Sequence, residues 1–150
     1  MSFQRAVTGT HGLEEAFRVG LHALTNAHRG QIECANPDSL TGSVNLDSAL
    51  ASSHPDSARW DYGIGLRKDP HSERVTWLEV HPATSRGAKE VCNKHLWLTQ
   101  WLESSAPLLR SMTGQFVWVA SGNVHIPLNS PHRRRLAAQG IRFAGRRLHL

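Results

Sequence analysis

The stretch RWDYGIGLRKDPHSERVTWLEVHP, running from Arg59 to Pro82, reads as two strands joined by a polar turn. In the first, Trp60, Tyr62, Ile64 and Leu66 alternate with Asp61, Gly63 and Gly65, the two-residue period of a strand. In the second, Val75, Trp77, Glu79 and His81 alternate with Thr76, Leu78 and Val80. Asp61 and Glu79 are the carboxylates set inside these apolar patterns, where an unpaired charge costs several kcal/mol. A turn over Arg67 to Glu73 pairs Leu66 with Arg74. The same register carried downward sets Asp61 opposite Glu79, with Cβ atoms about 5 Å apart. Facing carboxylates repel unless a proton or cation lies between them, and a divalent ion with oxygen ligands meets that need. The competing expectation is that Glu79 pairs with an arginine or lysine and Asp61 caps a strand end. His81 projects from the Glu79 face.

Working outward, the 150 residues fit one domain, with a loop-rich insertion over residues 31–58. Hydrophobic content of 39% and charged content of 19% describe a globular protein. No apolar run approaches the roughly 20 residues a membrane span needs, and the opening MSFQRAVTGTHG lacks the apolar core of a signal peptide, so a cytoplasmic location without membrane association is expected. Cys34 and Cys92 form no C-x-x-C pair, and the ten histidines show no H-E-x-x-H or H-x-H spacing, which argues against cysteine or histidine zinc sites. No G-x-S-x-G marks a serine nucleophile. Residues 1–103 carry twelve acids against ten Lys and Arg, a net −2, whereas residues 104–150 carry seven arginines and no acid, a net +7. That positive block favours a polyanionic partner, nucleic acid first, with DNA expected, and an anionic membrane second; a solvated basic surface is the plainer alternative.

Upstream, Leu13, Phe17, Gly20, Leu21, Leu24 and Ala27 recur at helical spacing, predicting an amphipathic helix over Leu13 to Arg29 that ends at Gly30. Glu14 flanks its apolar stripe. Residues 31–58 turn to Ser, Asn, Asp, Pro and Ala, with one short strand expected near Gly42 to Leu46. Pro55-Asp56 lies there among serines and alanines with no strand pattern, so Asp61 is the preferred acid. Downstream, Pro82 stops the strand, and Thr84 or Ser85 caps a helix over Arg86 to Glu103. Ala88, Val91, Cys92, His95, Leu98 and Leu102 share its core face. Lys94, Trp97 and Trp101 form a second stripe on the opposite side, expected to cover a homodimer interface, lie under the N-terminal segment, or stack on nucleic acid. Lys89, in the first turn, points back towards His81. Gln115 to Ser121 is an apolar strand followed by a turn at Gly122-Asn123, Ser130 to Gly140 a helix with serine cap and proline start, and Ile141 to Leu150 a closing strand.

This order of elements, with Asp61 on one strand, Glu79-Val80-His81 on the next, a helix bearing Lys89, Lys94 and Gln100, and then the apolar strand 115–121, resembles the PD-(D/E)XK nuclease superfamily over roughly residues 12–150. The resemblance implies an α/β restriction-endonuclease-like fold, a central mixed sheet flanked by helices, and phosphodiester hydrolysis dependent on Mg²⁺ or Mn²⁺. It implies that Asp61 and Glu79 hold the metal with the carbonyl of Val80 and that Glu14 reaches it as an outer group. His81 stands where the family has its lysine, so that either a protonated His81 or Lys89 supplies the charge. Arg133, Arg134, Arg135, Arg142 and Arg146 are the candidate grip on nucleic acid. The alternative is a degenerate member of the fold that binds nucleic acid, or serves in assembly, without cutting.

Overall fold

A computed structural model describes residues 1–127 and 130–150. The central hairpin organises it. Strands β3 (Tyr62–Asp69) and β4 (Ser72–Ala83) pair antiparallel in the expected register, from Leu66 opposite Arg74 down to Tyr62 opposite Leu78. The strands run further into the turn than expected: Arg67 still pairs with Glu73, and only Pro70 and His71 remain between the strands. The Asp69 carboxylate closes that turn by accepting from His71 N at 2.8 Å and Ser72 Oγ at 2.6 Å.

Around the hairpin lies a five-stranded mixed sheet in the order β2-β3-β4-β5-β6, where β2 is Leu40–Asn45, β5 is Thr113–Val124 and β6 is Ile141–Phe143. The pairs β2/β3 and β3/β4 are antiparallel, and β4/β5 and β5/β6 are parallel. Each parallel step uses a helical crossover, which such a connection requires. These are α4 (Ser85–Ser105), leading through α5 (Pro107–Ser111), and then α6 (Pro131–Ala138). The fold is therefore mixed α/β, with helices flanking a mixed sheet. Among the described residues no helix is long and apolar enough to cross a membrane.

One sheet face buries Val75, Trp77 and Trp118 against α4, α6 and the N-terminal α1 (Phe3–Thr8); the other buries Tyr62, Ile64, Leu78 and Val119 beneath Leu24, Ile32 and Leu148. Gly63 exists because Trp77 occupies the space a side chain would need: a Cβ there would stand 2.7 Å from the Trp77 ring. Trp60 joins the Trp77 face rather than that of Tyr62, since ladder pairing begins only at Tyr62 and the chain before it is free to turn.

Several expectations are corrected. Leu13 to Arg29 is not one helix: Gly12 and Gly20 sit at φ of +93° and +51°, and i+3 turns fill the segment until the short α2 (Asn26–Arg29). Arg18 instead bridges Ser43 of the edge strand β2, with N···O distances of 2.9 and 2.8 Å. The helix that does form is α1, capped by the Ser2 hydroxyl accepting from Arg5 N. Residues 31–58, expected as loop with one short strand near Gly42 to Leu46, contain that strand as the edge strand β2, and beyond it supply β1 (Ile32–Glu33) and α3 (Leu46–Ala49). Strand β5 continues past Gly122-Asn123, but its register against β4 breaks there, between Ala120 and Val124, and the closing strand divides at Gly145, φ +72°, into β6 and β7 (Leu148–His149). Strand β7 leaves the main sheet and pairs parallel with β1.

Trp97 and Trp101 are not an exposed stripe. Trp101 is 4% exposed, and Trp97 stacks on it at 5.8 Å while meeting His54 edge-on. Trp101 belongs to the core, with Trp97 packed against it, which removes the exposure on which a homodimer through this pair rested.

Candidate functional site

Asp61 lies one residue before β3 and is held from three directions. Its N–H donates to Glu79 Oε1 at 3.1 Å, its carbonyl accepts from Leu46 N at 2.8 Å, and its Oδ2 accepts from Val80 N at 3.0 Å. The two carboxylates expected to face each other therefore do meet. Val80 enters through its N–H, which donates to Asp61.

The cation between them is Lys94. Its ammonium hydrogen-bonds to Glu79 Oε2 and lies 3.6 Å from Asp61 Oδ1. Local packing explains why Lys94, and not Lys89, arrives there. The Thr84 hydroxyl caps α4 by accepting from Gly87 N at 2.9 Å. Gly87 then packs so closely on the end of β4 that a Cβ would fall 1.9 Å from the Pro82 carbonyl oxygen. From that anchor, Glu90 and Lys94, four residues apart on one helix face, project towards the strand end, while Lys89 is exposed to solvent. Lys89 thus does not supply the charge expected of it. The i, i+4 spacing of Glu90 and Lys94 is the signal in the sequence that could have found this face.

His81 completes the group. Its Nδ1 lies 3.3 Å from Glu79 Oε2 and its Nε2 2.7 Å from Glu90 Oε2, and Glu90 in turn pairs with Arg86 at 3.1 Å. Glu79 is fully buried, but the side chains of Asp61, His81 and Lys94 retain 16, 17 and 18% of their surface, so the cluster opens to solvent on one side.

The electrostatics follow from this crowding. Burial, reinforced by the charge of Glu79, pushes Asp61 up to about 6 despite Lys94 and the Val80 N–H. Burial works against the Lys94 charge, yet Glu79 and Asp61 outweigh it and raise its pKa. The bond to Glu79 raises His81, against burial and with help from Glu90, while the bond from His81 lowers Glu90.

Glu14 stands apart. It is exposed on the surface, where its carboxylate accepts from Gly12 N and lies 3.9 Å from His11 Nδ1, so it is not an outer metal group. The broken helix is the reason. Among the described residues no three His, Cys, Asp or Glu side chains converge as a metal-ligand set. What the site does offer is two hard oxygens, Asp61 Oδ1 and Glu79 Oε2, facing one cation. That donor set fits Mg²⁺ or Mn²⁺, which bind through one or two carboxylates and keep several waters. The candidate basic residues lie elsewhere: Arg133 is half-buried over the Phe143 ring at 5.0 Å, and Arg134, Arg135, Arg142 and Arg146 are exposed. Comparison with protein-family models, with curated proteins and with solved structures finds no match.

Proposed function

We propose that the chain is a metal-dependent nuclease-like domain on a restriction-endonuclease-like fold, hydrolysing phosphodiester bonds in DNA. One observation carries this: an aspartate, a glutamate and a lysine from three separate elements converge at the solvent-open end of β4. Asp61 and Glu79 would hold the ion. The metal, when bound, would lower the pKa of a water and offset charge building on the scissile phosphate. Lys94, beside both carboxylates, would contribute a fixed positive charge next to that phosphate, the part the motif lysine plays in the family the sequence resembles. His81 holds Glu79 in place and is itself held by Glu90. The two cysteines are unpaired, which suits a reducing, cytoplasmic setting.

Incubating plasmid DNA with Mg²⁺ or Mn²⁺ tests the proposal. The wild type should cut, and Asp61→Ala, Glu79→Ala and Lys94→Ala should each lose most of that activity; cutting that survives the first two substitutions places the chemistry elsewhere.

A second reading has one observation in its favour. Lys94 already spans both carboxylates, so a cation stands between them without a metal. On that reading the chain binds nucleic acid without cutting it. Salt-dependent DNA binding with no cleavage in either metal would select it.

A further inference from the structure

We propose that the groove at the carboxyl end of β5, lined by Gly30, Gln31, Ser121, Gly122, Arg146 and Arg147, binds the phosphodiester backbone of the same nucleic-acid strand that enters the acid–lysine cluster. This rests on the nucleic-acid reading above and adds a path for the strand. The groove is a concavity of about 450 Å³ with no carboxylate in its lining, so it is built for an anion rather than a metal ion.

Its arginines are presented from fixed backbone. The Gln31 amide donates to Ala120 O at 2.7 Å and to Arg146 O at 3.1 Å, and Ala120 N donates to Gly145 O at 2.7 Å. These three bonds clamp the Gly145–Arg147 turn onto the last buried residue of β5. Arg147 is steered by Glu33 at 2.6 Å, whereas Arg146 has no ion pair among the described residues. A guanidinium held ready with its donor fork uncommitted is the group best matched to phosphate oxygens. At Gly122 nothing lies within 4 Å of where a Cβ would be, so a ligand can approach the backbone there.

Position links the groove to the cluster. Ala120 is the strand partner of His81. Ser121 follows it, which puts its Cα roughly 6 Å from that of His81, given the spacing of neighbouring strands and the rise per residue. The groove opens on the sheet face opposite Glu79, so the bound strand rounds the carboxyl ends of β4 and β5, where open α/β sheets receive their ligands.

Anisotropy of a short labelled DNA duplex, titrated in EDTA over a salt series, separates this proposal from the one it rests on. Arg146→Ala should weaken binding about five-fold and reduce the salt slope by about 1. Ser121→Asp, which places a negative charge in the groove from a different element, should weaken it about ten-fold or more by like-charge repulsion. Arg5→Ala, on α1, should change neither. Binding indifferent to both groove substitutions overturns the groove, even if the wild type cuts DNA and Asp61→Ala does not. Binding lost in both, with a wild type that never cuts, supports the groove and overturns the hydrolytic reading. Competition by inorganic phosphate as strong as by DNA at equal phosphate concentration would reduce the groove to a simple anion hole and overturn the proposed strand path.

Discussion

Asp61 is a residue the folded chain pays to keep. A raised folded pKa means that its contribution to stability is complete below the ordinary value of 3.8 and is lost as pH rises through about 6. Above that, the metal-free protein carries a buried, repelled charge. In EDTA, Asp61→Asn should therefore be more stable than wild type at pH 8, on the order of 2 kcal/mol, with the difference vanishing near pH 4; urea titrations across pH would show it. His95 works in the opposite sense. Packed edge-on against Phe116, it has its pKa lowered by burial, so the stability it contributes is present above 6.5 and lost as pH falls below it. The two effects oppose each other on the acid side, and His95→Leu should remove the loss of stability that sets in as pH falls below 6.5 while leaving that of Asp61 in place. Removing the cation from the acid pair is the harsher change. Lys94→Met should cost about 3 kcal/mol at neutral pH, and added Mg²⁺ should restore part of that loss in a melting experiment.

Among the elements, α4 was the most legible, since its cap, its core face and its end all follow from spacing in the sequence. Which of its lysines reaches the acid pair was not legible. The approach of the helix to the strand end is set by Gly87 against the Pro82 carbonyl, a close contact that no hydrophobic pattern records, and it brings Lys94 rather than Lys89 to the carboxylates. Gly87→Ala should consequently lower stability by about 3 kcal/mol and impair cleavage more than its distance from the cluster would imply, read as a loss of kcat in refolded protein. The Leu13 to Arg29 segment failed for a different reason. Its periodicity was real, but Gly12 and Gly20 adopt a backbone conformation that ends helices, and Leu13 and Leu24 were recruited to opposite faces of the sheet. Trp101 was read correctly as a residue needing cover and wrongly as lacking it. Trp101→Ala should destabilise the fold by 3 kcal/mol or about that while leaving the oligomeric state unchanged by light scattering.

At the scale of the whole molecule, the hairpin register was legible because one face of each strand is buried, and a one-residue slip would have reversed every side chain. The tertiary roles of the arginines were not, because composition gives their sum and not their partners. The positive block divides into groups of different kinds. Arg133 packs on Phe143, which tilts against Trp118, whose indole N–H donates to the His81 carbonyl at 3.0 Å. Arg142 is an exposed residue on the edge strand. Arg133→Ala should lower both the melting temperature and DNA affinity, whereas Arg142→Ala should lower affinity about three-fold with no thermal effect.

The pairing of β1 with β7 involves only Ile32 with Leu148 and Glu33 with His149. The cluster from Asp61 to Lys94 lies within one continuous run of chain, but the groove is closed by a bond from Gln31 to Arg146, across a separation of 115 residues. A ladder of two residue pairs opens more readily than the five-stranded sheet, and its amides exchange with solvent before global unfolding. Each such opening loosens the hold of Gln31 on the Arg146 turn, leaving the acid–lysine cluster intact. Occupancy of the groove is thereby coupled to the ordering of the chain's last residues. Hydrogen exchange at Leu148 and Leu150 becomes a reporter of bound nucleic acid that is blind to whether the strand is cut.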